Sequence, residues 1–176
     1  WHAYLPGYEW ENFLKDQADK NFKGGSHLYY DGFKQEDQPF VNSECGNVWG
    51  YSGSTGDVDW SYDYHRMINS FRKFPEVAGW LYTEHHDVIN EWNGYWKYDR
   101  SEKETGLNNI FKGMNLNDLH SSVYISNQGD ITQTVKGNEN IEIPIYLSSM
   151  TDKDYGDELY LHYQISHLDY VGIEKE

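Results

Sequence analysis

The 176-residue sequence holds a single cysteine, at position 45, which excludes an internal disulfide and a cysteine-based zinc site. One thiol suits a cytoplasmic, a periplasmic or a secreted protein equally, so the compartment stays open. Apolar runs are only a few residues long, far short of the ~20 that a bilayer-spanning helix needs. Basic residues are also scarce: 14 Lys and Arg stand against 29 Asp and Glu, a formal charge of −15. A chain this acidic repels nucleic acid and anionic membrane, and neither is an expected partner. The opening Trp1-His2-Ala3-Tyr4 has no initiator Met and no positively charged, apolar leader. It reads as the interior of a longer polypeptide or as a processed end. Aromatics, by contrast, are abundant: 7 Trp, 16 Tyr and 7 Phe make 17% of the chain. Disordered chains are poor in such residues, so a mean hydropathy of −0.88 does not signal disorder here.

The pattern changes near residue 118. Before it, short apolar runs alternate with stretches of helical period. Trp1–Leu5 reads as a short strand stopped by Pro6-Gly7. Trp10, Phe13, Leu14, Ala18 and Phe22 then share one helix face over residues 8–23, and Gly24-Gly25 ends the helix. Pro39–Glu44 fits a buried parallel strand, followed by a loop with Gly46, Gly50, Gly53 and Gly56. Asp57 is expected to open a second helix carrying Trp60, Tyr64, Met67, Ile68, Phe71 and Phe74, closed by Pro75. Val77–Tyr82 is a third strand, and Thr83–Arg100 a polar, aromatic loop. Ser101 and Glu104 have capping-box spacing for a short helix through about Lys112. Strands and helices in this order predict a parallel sheet with helical crossovers.

After residue 118, four runs alternate apolar and polar residues at period two: His120–Ser126, Ile131–Lys136, Ile141–Ser149 and Leu159–His167. Asn127-Gln128-Gly129-Asp130 and Gly137-Asn138 supply turns, and Pro144 marks an edge or a bulge. The pattern predicts part of an antiparallel sandwich.

Two places could carry chemistry. Glu44 stands at the carboxyl end of a parallel strand, where α/β folds place their active sites, and a carboxylate there can act as nucleophile or general acid–base. A merely solvated loop carboxylate is the alternative. At the next strand end, Trp80-Leu81-Tyr82-Thr83-Glu84-His85-His86-Asp87 mixes rings with polar groups, and Trp92, Asn93, Tyr95 and Trp96 extend it. Rings that pack on pyranose CH faces, beside carboxylates and amides that take hydroxyls, suit sugar recognition. The alternative is packing at a domain junction. Adjacent His85, His86 and Asp87 point in different directions and no H-E-x-x-H helix exists, so a metal site has little support. There is no G-x-S-x-G elbow. Gly50–Gly56 lacks the phosphate-loop fingerprints, and no cofactor is expected. Cys45 adjoins Glu44 and should face the other way, buried and inert.

Pro39-Phe-Val-Asn-Ser-Glu-Cys-Gly46 resembles the seventh-strand motif of glycoside hydrolase family 2, the β-galactosidase, β-glucuronidase and β-mannosidase group. Gly79–Asp87, continuing to Glu91-Trp-Asn-Gly94 and Tyr98-Asp-Arg100, resembles the eighth strand and its loop, and Trp1–Tyr4 the end of the sixth. The resemblance implies that residues 1–118 are the C-terminal part, about strands six to eight, of a (β/α)8 TIM barrel. Residues 119–176 would begin a β-sandwich. It implies a retaining, exo-acting hydrolase of terminal β-glycosides with Glu44 as nucleophile. His2, Trp80, Glu84, Asp87 and Asn93 would line the sugar subsite. Cys45 stands where the family commonly has Tyr. The family's acid–base Glu, which follows an Asn, is expected upstream of Trp1; Asn90-Glu91 has that dipeptide but lies after strand eight. On this reading the isolated chain is inactive and its partners are a carbohydrate and the missing N-terminal part of the same enzyme. A three-strand remnant would otherwise expose wide apolar faces. A non-catalytic carbohydrate-binding or interaction module is the alternative, and a purely structural domain is a third reading.

Overall fold

The computed structural model describes residues 1–46, 59–89, 91–127, 134–156, 158–168 and 174–175. The glycine-bearing loop after Gly46, the helix start expected at Asp57, Asn90, the turn at 128–130 and the first half of the run 131–136 lie outside the described residues.

Three strands, β1 (His2–Tyr4), β2 (Phe40–Gly46) and β3 (Val77–Tyr82), form a parallel sheet in the order β1-β2-β3. Parallel neighbours need a crossover, and α1 (Trp10–Lys20) and α2 (Ser61–Phe71) supply the two. Both helices follow from apolar spacing: Trp10 and Leu14 on α1, and Tyr64, Met67, Ile68 and Phe71 on α2, are fully buried. Asp59 fixes the start of α2 by accepting from the Ser61 amide (3.0 Å) and hydroxyl.

The core is aromatic. Phe71 is its hub, with ring centroids 5.2 Å from Trp10, 6.2 Å from Trp1 and 5.2 Å from Trp80. A second cluster joins Trp60, Tyr64, Tyr82 and Tyr95, where Tyr64 and Tyr82 meet edge-on at 4.7 Å. Such pairs contribute roughly 0.5–1.5 kcal/mol beyond the area they bury. All of this packs on one face of the sheet, the face of Phe40, Cys45 and Val77. The other face carries Val41, Ser43, Glu44 and Leu81, the last 61% exposed.

The register between β2 and β3 shifts in mid-strand: Asn42 pairs with Trp80, but Cys45 pairs with Tyr82. Three residues of β2 therefore span two of β3, a bulge that turns both Ser43 and Glu44 outward while Asn42 and Cys45 stay buried.

Three local expectations are corrected. The helix expected from Ser101 to Lys112 shrinks to α3 (Leu107–Ile110), because Ser101 donates through its amide (2.9 Å) and hydroxyl (2.6 Å) to Asp99 and caps nothing. His120 belongs to a 3-10 helix, Leu116–His120, anchored by Asn115, whose side chain accepts the Asn117 amide while Asp118 accepts the Asn115 amide. Its strand is β4 (Val123–Asn127), paired antiparallel with β5 (Ile145–Ser149), which starts just after Pro144, a residue with no N–H to donate. Leu159–Ser166 is not a strand: Leu159, Leu161, Tyr163 and Ile165 are exposed, and alternation without a surface to bury it specifies no pairing. Among the described residues beyond it, β6 (His167–Leu168) and β7 (Glu174–Lys175) pair antiparallel.

Beyond residue 118 the chain still shares the core. Leu119 and Tyr124 are buried in it, Tyr124 donates to Asn69 of α2 (2.7 Å), and Arg72 donates to the Leu119 carbonyl (3.0 Å) beneath the Tyr124 ring.

Candidate active site

The bulge sets Glu44 on the open face at the carboxyl end of the middle strand. His2 is its in-register neighbour on β1, and Tyr4, two residues on, lies on the same face. The Tyr4 phenol donates to Glu44 Oε1 at 2.6 Å. That ring lies over Gly46, where any Cβ would stand 2.8 Å from Tyr4 Cε1, so the glycine makes the approach possible. Oε2 takes no hydrogen bond among the described residues. An exposed carboxylate with one oxygen held is oriented for attack while still reachable.

Tyr4, a strand residue in the sequence pattern, is the side chain that the structure adds to this group. The available signal was its spacing from His2: two residues apart on a strand share a face.

Cys45 points into the core, fully buried, and burial together with the neighbouring Glu44 charge pushes its thiol up to about 12. It is a packing residue, with no thiolate available near neutrality.

At the neighbouring strand end, the Thr83 amide donates to the Cys45 carbonyl (2.7 Å) and the Thr83–Glu84 peptide is cis. Glu84 follows at once, adjacent to the Glu44 strand end. Burial, then the charges of Glu91 and Asp87, raise its carboxyl above the ordinary range, and its Oε1 is buried without a partner among the described residues.

The other expected sugar contacts serve the loop itself. Asp87 accepts from the Gly94 amide (2.9 Å) and from the Lys103 ammonium (2.6 Å), which also donates to the Trp92 carbonyl (2.7 Å). Asn93 donates to the Thr83 carbonyl (2.6 Å), and its own carbonyl accepts from the Tyr82 phenol (2.6 Å). Trp80 lies on the helix-covered face, stacked on Phe71 with the Arg72 guanidinium 5.6 Å from its ring. The structure thus gathers His2, Tyr4 and Glu44, puts Glu84 at the next strand end, uses Asp87 and Asn93 as ties, and sets Trp80 on the opposite face from Glu44.

Among the described residues no three His, Cys, Asp or Glu side chains converge on a metal-sized point. No described helix is long and apolar enough to cross a membrane. No protein-family model matches the chain, and no curated protein matches it.

Proposed function

We propose that this chain is the C-terminal part of a retaining β-glycosidase of the family 2 type, with β1, β2 and β3 as strands six to eight of its barrel and the residues after about 118 opening a β-sandwich. The observation that carries the reading is the Glu44 carboxylate, exposed at the carboxyl end of the middle strand of a parallel sheet and held by Tyr4. The motif around it supports the same reading. A binding module has no need of a lone oriented carboxylate at that point.

In the proposed reaction a free oxygen of Glu44 attacks the anomeric carbon of a terminal β-glycoside. The C1–O bond to the aglycone breaks as the C1–O bond to Glu44 forms, giving a covalent glycosyl-enzyme that water then hydrolyses. The Tyr4 phenol keeps the carboxylate aimed. His2, beside it, and Glu84, across the strand end, face the sugar hydroxyls. Trp80 supports the strand from beneath, and Asp87 and Asn93 hold the loop that bounds the subsite. The leaving oxygen needs an acid about 5–5.5 Å from the nucleophile, and the proposal places that residue outside these 176. The isolated chain is therefore expected to show no turnover.

Activated 2-deoxy-2-fluoro-β-glycosyl fluorides test the nucleophile by itself, because fluoride leaves without acid assistance. The polypeptide carrying these strands together with the acid–base residue should gain one fluoroglycosyl unit, mapped by peptide mass to Glu44. A label on another residue, or one that survives Glu44→Gln, overturns the assignment.

A further inference from the structure

A cavity of about 360 Å³ lies between the segment 95–105 and the 3-10 helix that ends at His120, and no residue of β1 or β2 lines it. Its floor is fixed: the Tyr95 hydroxyl meets that of Tyr64 at 2.6 Å, and the Tyr64 hydroxyl meets His120 Nε2 at 2.9 Å. Its wall is open. Trp96 is held through its backbone by His85 and Asp87, yet the residue is 38% exposed and its indole pairs with no described ring or cation. Around it stand the Glu102 carboxylate, the Thr105 hydroxyl and the Asn117 carboxamide, none of which is spent on a partner among the described residues.

One unoccupied indole with acceptors and donors of mixed type around it fits a ligand with one CH-rich face and a rim of hydroxyls. An anion is disfavoured, because Lys103, the one ammonium among the described residues at the cavity, is consumed by Asp87 and the Trp92 carbonyl, while Glu102 and the net charge of −15 repel it. A cation would prefer several aromatic faces, and Tyr95 has its ring engaged by Trp60, Tyr64 and Tyr82. We infer that this cavity is a binding subsite for one uncharged pyranoside unit, stacked on Trp96 and hydrogen-bonded by Glu102, Thr105 and Asn117. It is separate from Glu44, so it can hold where the glycosidase reading fails, and the reverse.

The test uses the full 176-residue chain, 15N-labelled, titrated with methyl β-D-galactopyranoside, methyl β-D-glucopyranoside and methyl β-D-mannopyranoside, with choline chloride as the cationic probe. At least one glycoside should shift the Trp96 indole N–H and the Asn117 carboxamide saturably, and choline should not. Trp96→Ala should weaken that binding by about tenfold or more, and Asn117→Ala, at an exposed position, by about threefold or more. Glu44→Gln should leave the dissociation constant unchanged. Absence of any saturable shift up to about 0.2 M glycoside, a response to choline instead, undiminished binding in both cavity variants, or loss of binding in Glu44→Gln overturns the inference.

Discussion

Replacing Asp87 by alanine tests how the loop after β3 is held. The Asp87 and Lys103 side chains are 3% and 6% exposed, so solvent screens their attraction little. Without the carboxylate, the ammonium keeps the Trp92 carbonyl at 2.7 Å, the Trp60 ring at 5.9 Å and the weaker pull of the Glu84 charge, and the Gly94 amide loses its acceptor. Breaking a buried pair from one side costs about 3–5 kcal/mol, because a charge is left without its counter-charge. In a chain of this length that corresponds to a fall of roughly 6–20 °C in Tm. Urea titration followed by tryptophan fluorescence at pH 7 measures the loss. Asp87→Asn combined with Lys103→Met, which keeps an acceptor for Gly94 and leaves no charge, should recover most of it. The exposed Lys20–Asp16 pair is the comparison: Asp16→Asn should cost less than about 0.5 kcal/mol. An Asp87→Ala loss below about 1 kcal/mol, or a double variant as unstable as the two single losses added together, would refute the reasoning.

Cys45, His65 and Gly94 each offer a separate test of the packing. Cys45, buried and with its thiol at about 12, should resist a disulfide reagent at pH 8 in the folded chain and react in urea; stoichiometric labelling of folded protein contradicts this placement. Burial lowers His65 below its usual 6.5, and its Nδ1 has no partner among the described residues, so the folded chain favours the neutral ring. Its contribution is present above about pH 6.5 and lost as pH falls through the lowered value; His65→Gln should flatten stability between pH 7 and 5.5, and an unchanged slope rules the effect out. A methyl group at Gly94 would stand 2.3 Å from the His86 carbonyl carbon and 2.4 Å from the Asp87 nitrogen, both backbone, so Gly94→Ala should cost about 3 kcal/mol by thermal melting. A neutral Gly94→Ala would mean that the loop lies elsewhere.

The elements before residue 83 were legible because each announces itself locally. Trp10 and Leu14 are four apart, Tyr64, Met67, Ile68 and Phe71 follow helical spacing, and Val77–Tyr82 is an apolar run. Side-chain facing was less legible. Trp80 and Glu44 sit at neighbouring strand ends in the sequence, yet the bulge between Asn42 and Cys45 puts them on opposite faces, and a bulge is a property of two paired strands. Asp87 and Asn93 look like ligand groups in a polar loop because their partners, Lys103 and the Thr83 carbonyl, meet them only once the loop folds back. Ser101 shows the same competition at shorter range, since Asp99 claims the hydroxyl that a helix cap would need. The alternation from Leu159 to Ile165 is a strand pattern lacking a described partner, and pattern without pairing makes no sheet.

The Trp60–Tyr82 pair has an optical consequence. Their rings lie 5.5 Å apart with planes 24° from parallel, and Trp60 sits at the start of α2 while Tyr82 closes β3. Chromophores that close exchange excitation, and a fixed, chiral pair leaves circular dichroism bands that its separated members lack. Tyr95 joins the same stack from the loop, 4.9 Å from Tyr82. The molecule thus carries a built-in spectroscopic gauge of whether helix, strand end and loop are seated together, readable without any added label.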